Sequence, residues 1–373
     1  MKKICLCAAI VPFLLNAQAE ARETQSQPIE LKLGGYMRWY GTFADFFKKN
    51  NLALLENQNV NKFDVMGDGE IYFQGRTRLD DGMEIGAMVQ IKAGTEVKTF
   101  DESYLFVDGA FGRFQAGNVK NVDYQMSVNA PTVSFIGLQE SSYNRFGVFG
   151  LLGKSAEATY ATWDDISTKL NYISPNVSGF SLGVSLMPSN NSGGLDNTVF
   201  VNNTVFQYGG AVIGLYENRL NDDWLLTSSA SYAFYKPRES YAGTHKAIRD
   251  FSAGMNVTYK DVTIGGSVKR ELSPVNTFVV GENFSDTQGW VWDAGVSYDA
   301  AVYGLSLSYT GAQTRDTALN SARNRSDLIV AAAKYRLGAG INVFFDMSYA
   351  KVDKASGEKA QGIGSAAGFD VVF

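Results

Sequence analysis

Ile71-Tyr72-Phe73-Gln74-Gly75-Arg76-Thr77-Arg78-Leu79 alternates without a break: its odd positions are apolar or small and its even positions polar or charged. Successive side chains of an extended strand point to opposite faces, so this stretch reads as a strand with one oily and one wet face. The same period of two returns at 31–43, 83–91, 180–186, 305–309 and 363–373. No period of 3.6 residues over an ordinary helix length interrupts it. The strand signals group into about sixteen segments, an even count inside the range of membrane-spanning barrels.

The connections sharpen the reading. Short ones fall at Asp80-Asp81-Gly82, Asp108-Gly109, 175–178, 218–223, Lys260-Asp261, 299–301 and 337–339. Longer polar ones fall between them at 44–62, 93–102, 118–166, 188–204, 236–250, 273–289, 313–325 and 352–362. An up-and-down barrel with tight turns on one rim and long loops on the other demands that rhythm, whereas a sandwich or propeller does not. A soluble barrel would turn its apolar face inward. Against this, the faces opposite the apolar ones carry Lys32, Arg38, Arg76, Arg78, Glu84 and Lys92, which suits a hydrated lumen better than half of a surface wrapped round a dry core. Trp39, Trp163, Trp224, Tyr232, Trp290, Trp292 and Tyr349 near the strand ends fit the aromatic girdles of a lipid-embedded wall.

Composition agrees. The 373 residues are 45% apolar, with 38 Gly and only 7 Pro. No mature stretch offers the ~18 consecutive apolar residues of a spanning helix. Residues 1–19 read as a secretory signal: Lys2 and Lys3 form a basic start, 4–15 an apolar run and Ala17-Gln18-Ala19 a cleavage site. The expected mature chain, 20–373, contains no cysteine, since Cys5 and Cys7 lie in the leader, and so needs no disulfide staple in an oxidising compartment. Without Lys2 and Lys3, 31 basic residues face 38 acidic ones, which argues against a nucleic-acid partner.

Three motifs carry a family resemblance. S-Y-L-F-V-D-G-A-F-G-R-F-Q-A-G-N at 103–118 has the look of a strand, tight turn and strand placed ahead of a pore loop. L-N-Y-I-S-P-N-V-S-G-F-S-L-G-V-S-L at 170–186 contains a Y-x-S-P-x-x-x-G-F turn. The chain ends in Phe373, preceded by Val371 and Phe369 at alternate positions, the pattern of a membrane-insertion signal. Together these resemble the Gram-negative general porins, the trimeric sixteen-stranded type. The resemblance implies an all-β, sixteen-stranded antiparallel transmembrane barrel with short periplasmic turns, long external loops and a third loop folded inward. It also implies an outer-membrane location, a homotrimer, contact with outer-membrane lipid and lipopolysaccharide, and handling by the outer-membrane insertion machinery. Asn118 stands where the family usually carries Arg.

A sixteen-stranded barrel leaves a water-filled channel, so the function expected is passive diffusion of small hydrophilic solutes and ions, with no cofactor. Selectivity then rests on what narrows and charges the lumen. The resemblance makes 118–166 the constriction loop. Its candidate acids are Asp123 and Glu140, with Asp164 and Asp165 near its exit, and across the lumen stand the bases Arg38, Arg76, Arg78, Lys92 and Lys169. Facing acids and bases would set up a transverse field that favours dipolar solutes.

Other functions fit less well. An embedded enzyme needs a histidine near a nucleophile or acid, and the single one, His245, falls in an expected external loop. Asp64-x-x-x-Asp68-Gly69-Glu70 lacks EF-hand spacing and reads as a turn before the second strand. An adhesin or structural barrel is not excluded by loop length, and a sugar-specific channel would need a continuous inward aromatic track, of which only Tyr36, Tyr40 and Tyr72 are visible.

Overall fold

The computed structural model describes residues 28–50, 62–94, 100–135, 158–164, 166–189, 206–237, 247–272, 277–279, 282–284, 287–316, 322–354 and 357–373. The strands in chain order are β1 (Glu30–Asn50), β2 (Phe63–Arg78), β3 (Glu84–Lys92), β4 (Phe100–Gly109), β5 (Gly112–Val119), β6 (Ser167–Ile173), β7 (Phe180–Met187), β8 (Phe206–Arg219) and β9 (Trp224–Pro237). Then come β10 (Ile248–Tyr259), β11 (Val262–Leu272), a small hairpin of β12 (Thr277–Val279) and β13 (Glu282–Phe284), β14 (Thr287–Asp299), β15 (Tyr303–Asp316), β16 (Ala322–Gly338), β17 (Ile341–Asp353) and β18 (Lys359–Val372). All except the β12–β13 hairpin join one closed barrel, so the wall has sixteen strands, each antiparallel to its neighbours. Closure is made by β1 and β18, where Gly35 and Phe373 exchange two backbone hydrogen bonds of 3.0 Å. Such closure leaves no unpaired ladder facing lipid.

The predicted rhythm is present. Connections 79–83, 110–111, 174–179, 220–223, 260–261, 300–302 and 339–340 lie on one rim, and the longer ones lie on the other. Strands run further toward the long-loop rim than the apolar alternation indicates. β1 continues to Asn50, and β16 already begins at Ala322. Beyond the hydrocarbon the ladder continues on one side, β1 past Ala44 pairing with β18 alone and β16 before Arg325 with β15 alone, where water can satisfy the other side. Asp64, Asp68 and Glu70 accordingly lie within β2 and not in a turn before it.

The faces are assigned by burial. On β17 the outward Phe345 and Met347 are about half exposed, whereas the inward Phe344, Asp346 and Ala350 are buried. Leu31 at 82% exposure and Leu305 at 52% show the same outward greasy face on other strands. The oily side therefore looks out and a polar side looks in, the reverse of a soluble barrel. Trp39, Trp224 and Trp290 stand on the outer face. Trp163 does not: its indole lies inside, edge-on to Phe206 and donating to Glu271.

Candidate functional site

The third long connection leaves β5 and turns back into the barrel. Asn121 caps a short helix, α1 (Val122–Met126), accepting at 2.7 Å from the Tyr124 amide. Val122 and Met126 bury against Met187, Ala211, Ile213, Tyr235 and Ile248 on the inner faces of β7 to β10. A side chain at Gly183 would meet Val122 and Met126, so glycine makes the seat for the helix.

From there residues 127–135 run along the inner wall, fastened strand by strand. The Val128 amide donates to Ser229 on β9 at 2.9 Å, and Asn256 on β10 donates to the Asn129 carbonyl at 3.0 Å. The Ala130 amide donates to Asp293 on β14 at 3.0 Å, and the Val133 amide to Ser306 on β15 at 3.0 Å. Ser134 donates to Asp346 on β17 at 2.7 Å. The Phe135 carbonyl accepts from Arg38 on β1 at 2.6 Å, and its ring stacks on Phe344. Gly254 and Gly295 let the wall approach this closely, since a Cβ at either would press on the Val128 or Pro131 carbonyl.

The returning segment, 158–164, is latched to the same side. Asp123 accepts from the Ala161 amide at 2.7 Å. Asp164 accepts from Asn121 at 2.6 Å and from the Tyr235 hydroxyl at 2.9 Å, with Lys169 3.5 Å away. Lys269 donates to the Tyr160 carbonyl at 3.0 Å and Trp163 to Glu271 at 3.0 Å. Asp123, Asp164 and Lys169 are thereby buried between loop and wall, with Lys169 also donating to the Val119 carbonyl. Burial raises the Asp123 carboxyl above its ordinary value.

The wall facing the lumen on β1 to β5 is of another kind. Arg38 lies between Asp370 at 3.1 Å and Asp68 at 3.5 Å, with its guanidinium over the Phe135 ring. Lys92 bridges Glu70 at 2.8 Å and Asp101 at 3.5 Å. Tyr36 donates to Asp68, and Tyr72 to Glu70. Arg76 and Arg78 sit at the short-turn rim, where Arg76 pairs with Glu30 at 2.8 Å and Glu84 at 3.1 Å, and Arg78 is largely exposed. The structure therefore brings Arg38 and Lys92 into one acid–base band and sets Arg76 and Arg78 apart from it. Asn118 is on the outer face, accepting from Thr168 at 2.7 Å, so its identity does not charge the pore. Residues 1–27, Glu140, Tyr143, Phe146, Asp165 and His245 lie outside the described residues.

Sequence reasoning missed Asp68, Glu70 and Asp370 as partners of the bases, and Lys269, Glu271, Asp293 and Asp346 as fastenings of the loop. Strand parity could have found them, because each falls on the inward face of its strand. Their partners could not have been found so, since the contacts span long sequence separations; Arg38 and Asp370 are 332 residues apart.

A closed wall that is greasy outside, charged inside and crossed by a loop tied to its own inner surface defines a diffusion channel of the membrane-barrel class. The chain belongs to the Gram-negative porin family, whose profile matches residues 6–355. It is an outer-membrane channel for passive diffusion of small hydrophilic solutes, and not an enzyme. An uncharacterized protein of Rickettsia typhi is 21% identical over 94% of this chain and 93% of its own length, and one of Rickettsia prowazekii matches to the same extent. Among solved structures, the outer membrane channel DcaP of Acinetobacter baumannii superposes with a TM-score of 0.66 at 12% identity, covering 92% of this chain and 97% of that one. The anion-selective porin of Comamonas acidovorans gives 0.61 at 13% identity over 93% and 100%. OmpT of Vibrio cholerae in its trimer form gives 0.60 at 12% identity over 93% and 100%.

Proposed function

We propose that this porin conducts through an eccentric, weakly ion-selective pore lying between the fastened loop and the β1–β5 wall. The observation that carries this is the Phe135–Arg38 contact: the loop reaches across the inner wall to the base that opens the charged band. Along that band Arg38 and Lys92 are each matched by two carboxylates, Asp68 with Asp370 and Glu70 with Asp101. Two bases face four carboxylates, so the band keeps a net negative lean that favours cations weakly, and its opposed charges keep the local field that orients dipolar solutes. Tyr40 is buried, and the Tyr36 and Tyr72 hydroxyls are spent on Asp68 and Glu70, which favours a general pore over a sugar-specific track. Arg76 and Arg78 would act at the short-turn mouth, while Asp123 and Lys169 would hold the loop and not charge the lumen.

The remaining readings follow from family membership. The leader 1–19 is removed on export, and the mature chain 20–373 assembles as a homotrimer, the form named for Vibrio cholerae OmpT. Phe369 and Val371 on β18, and Phe373 just past its end, all exposed, serve as the insertion signal. The outer face meets lipid and lipopolysaccharide.

Planar-bilayer recording in a salt gradient tests the pore reading. Wild type should insert in ohmic steps with a small reversal potential. Arg38→Ala leaves Asp68 and Asp370 uncompensated and should shift that potential clearly toward cation preference, whereas Arg76→Ala with Arg78→Ala should shift it less. Equal shifts, or none with Arg38→Ala, would remove Arg38 from the filter.

A further inference from the structure

We infer that Asn342, a neutral side chain on β17, decides where the Arg38 guanidinium stands in the lumen and so tunes the ion preference of the pore. This rests on the reading of Arg38 as a selectivity base and adds to it the residue that places that base.

Five inward side chains form one rung across the β1–β18 seam. Arg336 on β16 is the register partner of Asn342, Asn342 of Asp370 on β18, Asp370 of Arg38 on β1, and Arg38 of Asp68 on β2. Direct partners on one face of a sheet have Cβ atoms ~5 Å apart, close enough for each side chain to touch the next. The rung thus sets two bases and two acids in a row with one amide among them.

Asp370 is the pivot. Its side chain is 2% exposed, and its two oxygens are divided between its neighbours. Oδ1 receives both Arg38 contacts, from Nε and Nη2, each at 3.1 Å, whereas Oδ2 receives the Asn342 amide at 3.1 Å. A guanidinium fork and a carboxylate otherwise favour two nitrogens set against two oxygens. With the second oxygen taken, Arg38 docks end-on to the first. That stance leaves Nη1 for the Phe135 carbonyl at 2.6 Å and for Asp68 at 3.5 Å, with the guanidinium between the Tyr36 and Phe135 rings. Arg336, on the far side of Asn342, is spent on Asp299 at 2.7 Å and on the Ala300 carbonyl, so it does not compete for Asp370.

Loss of the amide has a definite consequence. A carboxylate oxygen buried without a donor is unfavourable, so Asp370 turns to offer both oxygens to the fork. The guanidinium follows it toward β18, away from Asp68 and the loop carbonyl. Asp68 keeps the Tyr36 hydroxyl but loses the base that offset it. No formal charge has changed, yet the lumen becomes more attractive to cations.

The test is the reversal potential in a salt gradient across planar bilayers, read on purified full-length protein whose heat-modifiable migration shows a closed barrel. Asn342→Ala should move the potential toward cation preference at least about a third as far as Arg38→Ala, although it removes no charge. Asn342→Gln, which keeps the amide, should return it at least about halfway to wild type. In an Arg38→Ala or an Asp370→Asn background, Asn342→Ala should add nothing, because the group through which it acts is gone. If the alanine variant does not close its barrel, Asn342→Ser, too short to reach Asp370, carries the same expectation. A wild-type potential in Asn342→Ala, a shift toward anions, or a glutamine variant no nearer to wild type overturns the inference. A shift that survives undiminished in the Arg38→Ala background overturns it too, making Asn342 an independent part of the wall. If Arg38→Ala itself shifts nothing, the reading of Arg38 as the selectivity base falls and the inference with it. If Arg38→Ala shifts the potential and Asn342→Ala does not, the inference alone falls.

Discussion

Asp123 was expected to charge the lumen, and its sequence neighbourhood offers no reason to think otherwise. In the structure it is fully buried, receiving the Ala161 amide, with burial raising its carboxyl above the ordinary range. A carboxyl raised in this way is best tolerated neutral. Its contribution to holding the loop is complete below the ordinary carboxylate range and is lost as pH rises through the raised value. Open-channel current noise should therefore increase with pH in wild type. Asp123→Asn, which keeps the acceptor for Ala161, should flatten that dependence; an equally steep profile in the variant would clear Asp123 of the effect. Arg38 illustrates the opposite case, being legible as an inward base from its place in an alternating strand. Its partners were not legible, since Asp370 and Phe135 approach it only after the ring has closed and the loop has crossed it.

Among the strands, alternation fixed which face is oily but not where each strand stops, because the ladder outlives the hydrocarbon on the long-loop side. β10 shows what alternation alone conceals. Its inward positions include Asp250, Ser252, Gly254 and Asn256, a set that reads as an ordinary wet face. Gly254 is there because the loop backbone lies on it. Gly254→Val should push residues 127–135 toward the lumen and lower single-channel conductance, by about twofold if the displacement matches one side chain's width. The barrel itself should survive, with unaltered heat-modifiable migration on gels. Unchanged conductance would mean the loop had yielded elsewhere. The same close approach explains why Trp163 defied the girdle expectation: a tryptophan near a strand end is girdle or latch according to which way the chain turns next, and no local pattern encodes that turn.

The barrel as a body was the most legible level, since sixteen alternating segments with loops of two kinds admit few other arrangements. The inward loop was legible only as a place in the chain. Its geometry depends on fastenings contributed by β9, β10, β14, β15, β17 and β1. Closure depends on the last residue, as Phe373 trades both of its ladder bonds with Gly35. Removing Phe373 should leave the β1–β18 seam short of those bonds and reduce the yield of heat-modifiable, folded protein severalfold without altering the conductance of the channels that do form. Normal yield on truncation would show that the seam is nucleated further up.

That seam also governs what an incomplete polypeptide can be. A ribosome that stalls before Lys359 releases a chain lacking β18, and the result is not a smaller or leakier hole but a ribbon with two raw margins. Nothing can be threaded through such an object, and it will seek any other margin to pair with. Closure of this barrel is thus all-or-nothing, complete only once its final strand has met the first.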